Sequence, residues 1–345
     1  FKDYQIPIVP IVTEDLAQAT ESFQRVNSQG TKMSEVHMVN ALMWSKSFDL
    51  NDRFAEIAES LDKKGWGKIE SDVLLDTIKL ARDLDIYTAT PKEVIAALRD
   101  DPSLLEQLPD HIEQVISFLA DRCRVNGPAI LPYKYQLAIL AEAARLQGGK
   151  IKGSVRDKLE EWFWLTTYTE YFSGMTSTQL RNASKHVRLI VNENTTPRPL
   201  DLPKEIASIR RFDFNSVRSR ALVLLLLKEE PYSPNTGTNI SEAVGVLGVE
   251  SVPKILGQHD VGVDASASPE NRWVIPARQG RTLFQMLTDP DVEIESSILR
   301  SHVISPRARA SLLKGDPIGF LSHRRKMLTA LEREFVNSLD LIYKE

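Results

Sequence analysis

The chain has 345 residues, 42% hydrophobic and 26% charged, with a formal net charge of −4. This is an ordinary globular composition with room for two or three domains. Its mild acidity excludes a global attraction to nucleic acid, so any such contact must come from a local basic face. Phe1 opens a segment, FKDYQIPIVPIV, that reads as a strand already under way, so the chain is expected to be part of something longer. Pro7 and Pro10 suit a short or edge strand. Thr13 is a plausible N-cap for a helix carrying Leu16, Ala19 and Phe23, and the turn signal Asn27-Ser28-Gln29-Gly30 ends it. Ser34 opens the next helix, with Val36, Val39, Asn40 and Met43 on one side.

From residue 52 to about 230 one helix follows another. Asp110 and Glu113 stand at capping-box spacing, ahead of a core stripe of Ile112, Val115, Ile116, Leu119 and Cys123. Cys123 is the single cysteine, which excludes an internal disulfide framework and a cysteine-based zinc cluster and suits a reducing cytoplasm. Tyr133, Leu137, Leu140 and Ala144 share a face, and Ser154 opens a long helix whose EEWFWLTTYTEYF marks a packed centre. In FDFNSVRSRALVLLLL, Asp213 or Asn215 caps a buried helix. Its apolar run, Ala221 to Leu227, is the longest of the chain. It falls far short of the ~20 residues a membrane helix needs, and no signal peptide pattern is present. After Lys228 the turn formers of 231–240 and 257–272 predict a small irregular α+β element, followed from about Gly315 by one long helix through Phe320, Leu321, Met327, Leu331 and Phe335.

FQRVNSQGTKMS, residues 23–34, sets Arg25 near a helix end, then Asn27 and a turn at Gly30, an arrangement that offers a guanidinium fork and backbone N–H groups to phosphate oxygens. A plain cap and turn reads equally from these residues. FQRVNSQGTKMSEVHMVNAL resembles the segment that closes the ParB-like N-terminal domain of the GmrSD restriction family. ILPYKYQLAILAEAAR, LEEWFWLTTYTEYFSG and RFDFNSVRSRALVLLLL are similar to that family's helical middle. The resemblance implies a mainly α fold in three parts: residues 1–50 as the end of an α+β ParB-like nucleotide-binding domain, 51–230 as a helical domain, and 231–345 as a degenerate HNH-like module with a C-terminal helix. It further implies a bacterial, DNA-targeting anti-phage role. Arg25, Asn27 and Gly30 would contribute to a nucleoside-triphosphate pocket. The Asp-Gly-Gln-Gln-Arg motif of the family does not occur in this chain, which leaves that pocket incomplete.

Residues 251–287 are laid out like the family's HNH module, whose chemistry requires a histidine base to activate water and His, Asn or Asp ligands to hold Mg2+ against the scissile phosphate. Lys254 stands where the histidine would be, and Asn271 matches the strand asparagine. His259 with Asn271 is the catalytic pair to be tested, with Asp260 and Asp264 as metal ligands of a shifted site. A His-Asp pair in a Gly/Ser loop is otherwise solvated surface. Arg300 to Lys326 carries seven Lys/Arg against one acid: Arg300, Arg307, Arg309, Lys314, Arg324, Arg325 and Lys326 against Asp316. Such a face tracks a phosphate backbone or, failing that, is a set of solvated helix faces. A second cluster, Arg210, Arg211, Arg218 and Arg220, begins a helix, and residues 83–113 hold eight acids against two bases. The expected partner is DNA. A protein partner or self-association stays open, and the module is read either as part of an endonuclease or as a non-catalytic binding or regulatory subunit.

Overall fold

The computed structural model describes residues 33–196, 202–233, 240, 244, 247–275 and 283–345, together with Gln18 and Ser22. Helices dominate the described residues, as the sequence predicts, and nine of them precede the first strand: α1 (Glu35–Met43), α2 (Leu50–Leu61), α3 (Ser71–Ala81), α4 (Pro91–Asp100), α5 (Ser103–Glu106), α6 (Leu108–Cys123), α7 (Lys134–Leu146), α8 (Gly153–Tyr168) and α9 (Ser177–Glu193). Side-chain caps define several of their starts. Ser34 accepts from His37 N at the head of α1, and Asp49 from Asn51 N at 2.8 Å at the head of α2. Thr90 and Glu93 close a reciprocal capping box around Pro91, and Thr176 with Gln179 does the same for α9.

The core is built around α7, which packs against α3, α6 and α9. Its buried face is short-sided, with Ala138, Ala141, Ala143 and Ala144 between Leu137, Ile139 and Leu140, so neighbouring helices approach closely. Gln136 is wholly buried, and its Nε2 donates to Phe163 O, Thr166 Oγ1 and Thr167 Oγ1 at 2.9–3.2 Å, locking α7 to α8. Trp162, Phe163, Trp164 and Tyr168 fill the centre beside it. Each fully buried side chain of this kind contributes on the order of 2–3 kcal/mol of apolar transfer free energy.

The 231–345 boundary anticipated from composition is bridged in space. After β1 (Glu205–Ala207) and α10 (Val217–Lys228) come two single-turn helices, α11 (Gln258–Val261) and α12 (Val263–Ser266), then α13 (Leu283–Thr288), α14 (Ser296–Ser301), α15 (Pro306–Leu313), α16 (Pro317–Ser338) and β2 (Ile342–Lys344). β2 pairs in parallel with β1, Ile206 opposite Tyr343. The 22 residues of α16 serve two cores. Phe320 and Leu321 join Leu256, Trp273, Leu287, Leu299 and Ile304 in a second, smaller cluster. Leu328 and Val336 belong to the main core, and Phe335 packs on Trp164 at 4.8 Å between ring centroids. The short strand and helices of the last hundred residues therefore lean on the helical body.

Candidate functional site

The region singled out for chemistry begins with a two-stranded contact. Lys254 and Arg272 form an antiparallel bridge, with Ile255 N donating to Asn271 O at 2.9 Å and Ile275 N to Ser251 O at 2.9 Å. Between the paired segments, Gly262 turns the chain at φ 81° from α11 into α12, a left-handed conformation that glycine adopts without steric cost. Asn271 holds this loop to the strand pair. Its side chain accepts from Leu256 N at 2.8 Å and donates to Leu256 O at 2.9 Å and Ser266 O at 3.1 Å, and none of the residue is exposed. Every amide hydrogen is committed to backbone carbonyls, so the assignment of Asn271 as a catalytic side chain is corrected to a structural clamp. Lys254 is exposed, and its ammonium donates to Ser266 Oγ at 3.0 Å.

His259, Asp260 and Asp264 all lie on the exposed side of the loop. The Asp260 carboxylate accepts from Gly257 N at 2.7 Å, closing the first turn of α11. Asp264 faces a cleft of about 610 Å3 whose other charged walls are Arg210, Glu270, Arg325, Glu332 and Glu345. Among the described residues no three His, Cys, Asp or Glu side chains come together in a way that could hold a metal ion. Arg25, Asn27 and Gly30 lie outside the described residues.

The basic tail divides into two classes. Arg300, Arg307, Lys314 and Lys326 are exposed on α14, α15, the turn after it and α16. Arg325 is exposed but ion-paired to Glu270. Two further members of the predicted DNA face point inward. Arg309 donates through Nη2 to Asp289 O at 3.2 Å and Val292 O at 2.5 Å. Arg324 has no exposed surface: Nη1 donates to Glu270 O and Arg272 O, both at 2.5 Å, and Nη2 to His302 O at 3.1 Å. Burial pushes its pKa down to about 9. Arg324 therefore leaves the DNA-contact set, because a guanidinium enclosed by carbonyls cannot reach a phosphate. His302, within the same stretch, is buried against Trp273 and donates through Nε2 to Tyr232 O at 2.7 Å; burial lowers its pKa to about 4.

The arginine cluster at the head of α10 is split in the same way. Arg218 is buried against Glu332 at 3.1 Å, Arg220 donates to Phe214 O and Leu131 O, and Arg210 and Arg211 are exposed. Sequence reasoning missed Arg272, which comes to lie over the Phe212 ring at 4.8 Å. The two residues are sixty positions apart and belong to no shared motif, so only the fold brings them together. Trp162 and Trp164 are core residues, as their setting in the sequence indicates.

No family model matches the chain, and neither does any curated protein or solved structure.

Proposed function

We propose that this chain is a mainly helical, DNA-contacting module of a restriction-type anti-phage defence protein of the GmrSD kind, in which the HNH-like element serves as scaffold and another centre performs any cleavage. The observation that carries this reading is the use made of Asn271 and Lys254. The amide that would belong to a nuclease centre is spent on three backbone bonds, and the position of the water-activating base holds an ammonium ion. A protonated lysine is neither a base at neutral pH nor a metal ligand. On this reading the paired segments, loop and asparagine clamp serve as the scaffold of a nuclease-like module whose side-chain chemistry is replaced. Arg300, Arg307 and Lys326, exposed and without acidic partners among the described residues, supply the local positive face that a net-acidic chain needs for phosphate contact.

Two assays test this. Plasmid incubated with the chain and Mg2+ or Mn2+ should remain supercoiled; metal-dependent nicking abolished by His259→Ala/Asp264→Ala would restore the endonuclease reading. Duplex binding measured against salt should weaken about tenfold or more in Arg300→Gln/Arg307→Gln/Lys326→Gln, with the log–log salt slope reduced by about 2–3. An unchanged affinity and slope would remove the tail from the interface.

A further inference from the structure

The head of α10 borders an open cleft of about 730 Å3, in the size range of small-molecule sites. Arg211 and Arg272 stand on its walls, with Phe214 and the exposed Val249 as its apolar surface. Among the residues lining it, Asp213 is the only acid. That carboxylate already accepts from Asn215 N at 3.0 Å, and its charge acts on Arg220 behind the cleft. Arg211 is exposed and has no acidic partner among the described residues.

Arg272 is the unusual member. It is half-buried, its ring contact is with Phe212, and among the described residues its one side-chain hydrogen bond is a long one, from Nη1 to Val252 O at 3.3 Å; Nε is buried with no acceptor. Burial lowers its pKa, and no neighbouring carboxylate opposes that. Other partly or fully buried arginines are better satisfied. Arg122 meets Asp157 and Glu160, Arg145 and Arg188 meet Glu142, and Arg218 meets Glu332, while Arg220, Arg309 and Arg324 each donate to two or three backbone carbonyls. A guanidinium taken partly out of water is destabilising unless carbonyls or an anion meet its donors. Among the described residues no side chain supplies that acceptor, and the cleft beside it is open.

We propose that Arg272 and Arg211 form an anion subsite that takes a phosphoryl group, the phosphate of a free nucleotide or of a nucleic-acid strand, with the Arg272 fork as its main donor and Arg211 closing over the second face. Guanidinium forks match the oxygen spacing of a phosphate bidentately. Phe212, whose ring lies 4.8 Å from the Arg272 Cζ, helps to hold the fork in place. The subsite stands apart from the exposed tail cations and does not depend on their contact with DNA.

The test is calorimetric titration of the full chain with inorganic phosphate, with a nucleoside monophosphate, and with a short single strand with or without a 5′-phosphate. All phosphate-bearing probes should bind, and whichever of the monophosphate or the phosphorylated strand binds tighter identifies the source of the group. Arg272→Gln should weaken binding by about tenfold or more, and Arg211→Gln by about threefold or more. Asp213→Asn should strengthen it by about threefold, since a repelling charge is removed. Lys92→Gln, an exposed cation on α4 outside both basic regions, should leave it unchanged. Absence of binding by the unaltered chain at millimolar phosphate would overturn the proposal. So would binding that Arg211→Gln leaves intact; Arg211 is exposed, so that variant decides even if Arg272→Gln impairs folding. Loss of phosphate binding in Lys92→Gln would equally place the contact elsewhere.

Discussion

The helical body and the last hundred residues solve the same problem, a buried polar group, by different means. In the body, buried charge meets opposite charge. Lys79, with no exposed surface, pairs with Glu35 at 2.6 Å, and Glu142, 1% exposed, receives both Arg145 and Arg188. In the C-terminal region Glu270 and Glu332 still pair with arginines, but other buried polar side chains meet backbone carbonyls. Arg324 donates to Glu270, Arg272 and His302, Arg309 to Asp289 and Val292, His302 to Tyr232, and Asn271 to Leu256 and Ser266. The difference follows from backbone regularity. Long helices satisfy their own carbonyls, leaving side chains to pair with one another. Single-turn helices and irregular connections leave carbonyls exposed to the interior, and a side chain rich in donors is the remedy. A basic stretch in a turn-rich region is thus as much a fastening as a surface.

The strongest way to break this comparison is Arg324→Met. Removing a buried guanidinium leaves three carbonyls without donors, and the expected loss is about 3–5 kcal/mol in urea unfolding; a loss below about 1 kcal/mol would mean that the C-terminal region does not depend on this fastening. His302 gives the next effect through pH. Its folded pKa is about 4 against an ordinary value of 6.5. The unfolded chain takes up this proton first as pH falls. The neutral, buried imidazole therefore contributes fully above pH 6.5, and its contribution declines between 6.5 and 4 by about 3 kcal/mol, at 1.36 kcal/mol per unit. His302→Gln, which retains a donor for Tyr232 O, should flatten that part of the stability curve; an equally steep curve would assign the loss to other groups. Asp76 in α3 sharpens the comparison from the other side, as an acid of the body that burial raises to about 7 despite Lys79 and Lys134. Its folded pKa lies above the unfolded one, so ionisation destabilises the fold as pH rises from about 4 through 7. Asp76→Asn should accordingly stabilise the chain at pH 8 by about 2 kcal/mol and do little at pH 4, as thermal melts at the two values will show.

Legibility in the sequence followed the same division. Helical spacing located the body, because its apolar stripes repeat at 3.6 residues: Ile112, Val115, Ile116, Leu119 and Cys123 are all buried, and Ser34 does cap α1. Individual caps were less secure. Asp110 and Glu113 have capping-box spacing, yet α6 begins earlier, at Leu108, with Pro109 in its first turn. Ser216, rather than Asp213 or Asn215, caps α10. The destinations of the arginines were not legible at all. Arg324, Arg325 and Lys326 are consecutive, and one is enclosed while two face outward, because a helix turns each residue by about 100°. Asn271 was singled out only through the resemblance of residues 251–287 to a nuclease module, and the bonds it makes depend on carbonyls at Leu256 and Ser266 that no local pattern reveals.

The course of α16 has a consequence for how the molecule comes apart. At about 33 Å, the helix is as long as a small domain is wide, and opposite ends of it are embedded in different cores. Melting the smaller cluster would strip Phe320 and Leu321 of cover and fray the helix toward Leu328 and Val336, so the energetic cost propagates along a single hydrogen-bonded rod. Hydrogen exchange along α16 should therefore report one cooperative foldon shared by both clusters, and the irregular C-terminal region inherits kinetic protection that its own small core would not provide.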